Sequence, residues 1–173
     1  MPEEVEPATV LPPATQTGAN TAGCRLNGAL WDARQYALFA PEPTSASWHR
    51  SPLLAGKHQL SLRFIHSTNA KDAHNDTSIG FFVPDVSAPG TFVLDRPANP
   101  RFSARNPAYG VLAFDRATPG QELLSGPQAP GRLVITRLDT VARVVSGTFE
   151  FTARQAGATA TSTVTEGRFD CTF

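Results

Sequence analysis

The sequence predicts an all-β fold, an antiparallel β-sandwich of eight to ten strands with a closed β-barrel as the alternative. Two observations carry this. Apolar and polar residues alternate with period two in a series of short runs, each bounded by Gly, Pro, Asn or Asp. No window shows a sustained helical stripe: in Trp31–Pro41 the spacing of Trp31, Gln35 and Leu38 is helical, but Tyr36 and Phe39 break the face.

Residues 1 to 22 come first, with prolines at 2, 7, 12 and 13 and few apolar side chains. Such a segment buries too little surface to offset its ordering entropy and reads as a flexible tether or lead-in, leaving 23–173 as a single β domain. Leu26, Leu30 and Trp31 flank Asn27-Gly28, the signature of a tight hairpin turn. From His58, Leu60, Leu62 and Phe64 share one face, with Gln59, Ser61 and Arg63 on the other. The apolar run from Ser78 should end at Pro84 or lie at a sheet edge. Strands are then expected around Gly90–Asp95, Ala108–Asp115 and Gly131–Asp139.

The last two runs, Val144–Ala153 and Ser162–Phe173, read as adjacent antiparallel strands. Phe149 and Phe151 would face Phe169 and Phe173, and the alternate residues are polar. Cys171 then lies on the buried face. With Cys24 opening the folded region, the reading is a Cys24–Cys171 disulfide joining the first strand to the last, and with it an oxidising compartment. Two buried free thiols are the alternative.

Composition narrows the function classes. Fifteen acidic residues balance fifteen basic ones, which argues against nucleic acid or a polybasic membrane contact. No apolar run approaches the ~20 residues needed to span a bilayer. Pro2, Glu3 and Glu4 are unlike a cationic signal-peptide start, so the chain is either cytosolic or the mature form of an exported protein.

Residues 66–78 gather His66, Asp72, His74, Asn75 and Asp76. Asp72, Asn75 and Asp76 would supply oxygen ligands to calcium, and the two histidines suit a transition metal. The spacing matches neither an EF-hand nor a zinc motif, and these are also ordinary loop residues. No other cofactor is implied. Trp48 and Tyr109 are the ligand-binding candidates, because flat rings complement the apolar faces of sugars. No nucleophile elbow is present, and nothing singles out a carboxylate pair such as Asp32 with Glu42 or Asp85 with Asp95, so no catalytic residue is assigned.

The stretch LPPATQTGANTAGCRLNGALW (Leu11–Trp31) resembles the opening of small predicted lipoproteins of Bacteroidota that share a domain without known activity. GRLVITRLD, VVSGTFEFTA and TVTEGRFDCTF resemble that domain's C-terminal strands, whereas residues 40–130 match only loosely. The resemblance implies export to the cell envelope through an acylated cysteine upstream of this stretch, distinct from Cys24. It leads to an expected role as a non-catalytic binding or structural domain, whose partner is an envelope glycan or protein and which meets the membrane only through that anchor. The alternatives are a carbohydrate- or small-ligand-binding module and, less favoured, a hydrolase.

Overall fold

A computed structural model describes residues 10–35, 42–67, 76–100, 105–114 and 122–173. The fold is all-β. Eleven strands form one antiparallel sheet: β1 (Thr21–Leu26), β2 (Ala29–Asp32), β3 (Thr44–Arg50), β4 (His58–His66), β5 (Thr77–Val83), β6 (Gly90–Val93), β7 (Tyr109–Phe114), β8 (Leu123–Leu124), β9 (Gly131–Asp139), β10 (Val144–Arg154) and β11 (Thr161–Thr172). Nine strands run in the order β2-β1-β11-β10-β8-β7-β5-β4-β3, while β6 and β9 extend from β10 as a second branch. The sheet curls into a half-barrel around one core. Of the two expected architectures, one sheet folded on itself is nearer the barrel than two stacked sheets. Beyond β2, the Arg34 amide donates to the Ile65 carbonyl and the Ser67 amide to the Arg34 carbonyl, tying this edge to β4.

Alternation decides which side chains face inward. Leu60, Leu62 and Phe64 of β4 are buried, as are Ile79, Phe81 and Val83 of β5. β5 ends just before Pro84, but it lies between β4 and β7 and is no edge strand. Asn27 and Gly28 both have positive φ, 50° and 84°, as the β1–β2 turn requires.

The curl is packed by phenylalanines set against glycines. Gly147 pairs with Phe169, and Phe149 pairs with Gly167 on the same two strands. Phe151 faces Gly131, and Phe81 faces Gly110. A Cβ on Gly167 would come within 2.3 Å of the Phe149 ring, and one on Gly147 within 2.9 Å of the Phe169 ring. Each ring therefore lies over the bare backbone of its neighbour, a recurrent way of covering strand glycines in curved sheets. Phe64 closes the core from the opposite wall, 5.9 Å from Phe149 and 5.6 Å from Phe169 between ring centroids.

The expected disulfide is corrected here. Cys24 and Cys171 are both buried, and both thiols are free. Gly23 pairs with Arg168, three residues short of Cys171, and Cys24 lies one residue further the other way. At ~3.3 Å per residue that places the cysteines roughly 13 Å apart along the strands, where a disulfide needs Cα atoms within about 7 Å. Burial pushes each thiol up to about 12. The later part of the lead-in is docked on the domain. From Pro12 onward it packs on the outer face of β1 and β11, and a Cβ on Gly23 would meet Pro12 Cδ at 2.5 Å.

Candidate functional site

Asp170 belongs to the outward-facing set of β11, yet it is 1% exposed. Residues 15–19 cover it. Its Oδ2 accepts from Thr15 Oγ1 at 2.7 Å, the Thr17 amide at 2.8 Å and the Ala19 amide at 3.1 Å. Its Oδ1 accepts from the Gly18 amide at 2.8 Å and from Ser146 Oγ of β10 at 2.7 Å. Burial alone would raise this carboxyl. The hydrogen bonds from Thr15, Ser146 and the Thr17 and Ala19 amides outweigh it and hold the group well below the usual carboxylate range. Gly18 at φ 78° makes the wrap possible: a side chain there would be strained and would meet Thr172 Cγ2 at 2.8 Å. Asn20 completes the attachment by accepting from the Thr172 amide at 2.9 Å, and Arg137 donates to the Gln16 carbonyl.

Beside this clasp, on the outer face of β9, β10 and β11, is a groove of about 380 Å³. Ala14 of the strap forms one wall, and Arg132, Thr148, Glu150, Glu166 and Arg168 supply its polar lining. Glu166 sits where β11 carries a bulge against both neighbours, and its φ of 54° is rare for a residue with a side chain. The bulge breaks the alternation locally and lets Glu166 reach Arg25, with Nε 3.2 Å from Oε2. Arg132 pairs with Glu150 at 3.0 Å. Arg168 makes only long bonds, 3.4 and 3.5 Å, to the Glu166 carbonyl and has no carboxylate partner among the described residues. Two guanidinium groups and two carboxylates line the groove, and because Arg25 engages Glu166 from outside that lining, the Arg168 fork is left without a carboxylate of its own. Such a lining can grip a carboxylate through the arginine fork and hydroxyls through Thr148 and the two glutamates.

The residues expected to bind ligand lie elsewhere. Trp48 points inward from β3, stacks on His58 with centroids 4.0 Å apart and planes 4° from parallel, and donates its Nε1 hydrogen to the Val86 carbonyl at 3.0 Å. Trp48 is half-buried, with one ring face on His58 and its polar tip on the Val86 carbonyl. Tyr109 is half-buried against Phe82, and burial raises its phenol above the ordinary range. Asp72 and Asn75 lie outside the described residues. Of the calcium set only Asp76 is placed, and it is buried at the start of β5.

A second polar cluster lies where β2 meets β4. His66 Nδ1 is 2.7 Å from the Asp32 carbonyl, Arg34 holds the Asp32 carboxylate at 2.5 and 2.9 Å, and Trp31 Nε1 donates to Thr77 Oγ1 at 2.6 Å. These bonds pin the edge of β2 to β4 and β5, and they confirm Trp31 as a core residue. Asp85 is ion-paired with Lys57, and Asp139 caps its own turn through the Val141 and Ala142 amides.

The groove was missed because its residues read as the plain solvated face of two strands. The signal that could have found it is Asp170 in GRFD, an acidic residue beside the aromatic end of its strand and opposite Ser146. Comparison with known proteins leaves the chain without a match: no family model, no curated protein and no solved structure matches it.

Proposed function

We propose that this chain is a non-catalytic binding domain of the cell envelope, and that it takes a hydroxyl-rich, carboxylate-bearing glycan in the outer-face groove of β9–β11. The observation that supports this reading is convergence. Stretches that carry the lipoprotein resemblance, the opening around TQTG, GRLVITRLD, SGTFEF and GRFD, meet at one place on the surface. There they supply Ala14, Thr148, Glu150 and Arg168 of the groove together with the Asp170 clasp. Both groove carboxylates are engaged by arginines, a charge pattern suited to recognition rather than to a general acid, which requires a raised pKa. The envelope location rests on the motif resemblance alone, since the free thiols withdraw the disulfide argument for it.

An NMR titration tests the reading with oligogalacturonate as the acidic glycan and cello-oligosaccharide as the neutral one. The acidic glycan should shift the amides of Thr148, Glu150 and Arg168, and Arg168→Ala should weaken binding at least tenfold. Shifts confined to the surroundings of Trp48 and His58 would move the site to β3. No shift with either glycan would favour a structural role.

A further inference from the structure

We propose that residues 11–20 are a latch, with Asp170 as its catch, whose closure builds one wall of the groove and whose release dismantles it. The latch supplies Ala14 to the groove lining and covers Ser146 and Asp170 on the outer face of β10 and β11. Its attachment is polar and concentrated. Thr15, Thr17, Gly18 and Ala19 all donate to the one carboxylate, and Asn20 holds Thr172 next to it. The apolar core lies on the other side of the sheet and includes no residue of 11–20. A segment held by side-chain hydrogen bonds outside the core can open without unfolding the rest, because local openings need only break their own contacts.

The catch is specific to a carboxylate. Oδ2 faces four donors, the Thr17 hydroxyl at 3.3 Å among them, and Oδ1 faces two, so an asparagine in either orientation turns its NH2 toward a backbone N–H. The latch leads directly into β1, so tension along it meets the Asp170 catch before the first strand. This gives the groove a means of regulation, and its functional meaning rests on the binding role proposed above. The test itself needs no ligand, so the latch and the binding role can fail separately.

The experiment is amide hydrogen exchange on the full chain, comparing wild type with Asp170→Asn and with the double variant Thr15→Val/Thr17→Val. The double variant removes two hydroxyl donors while leaving β10 and β11 intact. In both variants exchange at Thr17, Gly18 and Ala19 should quicken, roughly hundredfold in Asp170→Asn. Core amides such as those of Val145 and Phe149 should remain far slower to exchange than the strap, and the Thr148 and Arg168 resonances should shift as the wall is lost. Unchanged protection of the strap amides would overturn the proposal. So would a loss of protection in the double variant that spreads through β1, β10 and β11 together, since the strap would then be part of the cooperative fold. Strap opening without any change at Thr148 and Arg168 would overturn its role in the groove.

Discussion

Asp170 shows how one residue can hold distant parts of a chain together. Its carboxylate collects donors from residues 15–19 and from β10, more than 150 and just over 20 positions away respectively. Hydrogen bonds to a buried charged group are worth about 1.5–3 kcal/mol each, and removing the acceptor strands their donors. Asp170→Ala should therefore lower the unfolding free energy by about 3 kcal/mol, read as a fall in Tm of roughly 10 °C for a chain of this size. The same residue sets an acid limit. Its folded pKa is depressed, so its contribution is complete above the unfolded value of about 3.9 and is lost as pH falls toward the folded value. Denaturation midpoints should drop between about pH 4 and pH 2, and Asp170→Asn should flatten that part of the profile. The cysteines make a second residue-scale prediction. Buried thiols with pKa pushed up to about 12 carry almost no thiolate at neutral pH. Intact mass after iodoacetamide should show no label on the native protein and two labels after denaturation without reductant. A native disulfide would give none in either case.

At the scale of elements, the pairing of phenylalanine with glycine governs the curl. Gly147 has the Val134 carbonyl oxygen 2.0 Å from where its Cβ would be, so the β9 backbone and the Phe169 ring both exclude a side chain there. Gly147→Ala should cost about 3 kcal/mol, at the upper end of overpacking penalties, measured by chemical denaturation. Gly90 also lies in a strand, but nothing stands within 4 Å of its Cβ position, so Gly90→Ala serves as the near-neutral control. The spacing G-x-F in both SGTFEF and EGRFD is visible in the sequence, but its meaning depends on antiparallel register. Only when the strands pair does each glycine fall opposite the other strand's phenylalanine. β3 was hidden for a related reason. In TSASWHR only Ala46 and Trp48 mark an inward face, too sparse a pattern to separate from a loop until β4 supplies a partner for each residue.

For the whole molecule, the curled sheet means that one core serves all the strands. Phe64 stands at its centre, fully buried, and touches phenylalanines of β5, β10 and β11. Phe64→Ala would leave a cavity between the walls of the curled sheet, at a cost of about 3–5 kcal/mol. Because the cavity borders strands on both walls, far-UV and near-UV circular dichroism should report the same lowered midpoint. Separate transitions would show that the two walls fold as independent units.

The sequence by itself determined the all-β class, most of the strand positions, the Asn27-Gly28 turn and the pairing of β10 with β11. These rest on local physics: alternation, turn conformations and the short return between neighbouring strands. Tertiary structure alone decided that the sheet curls rather than stacks, that the cysteines stand too far apart to bond, and that Trp48 turns inward onto His58. It also decided that TQTGAN is fastened to the far end of the chain and that a groove opens beside it. Each of these depends on the register of strands distant in sequence. A shift of a few residues moves a partner by ~3.3 Å per step, and nothing in the local pattern of either strand records that shift.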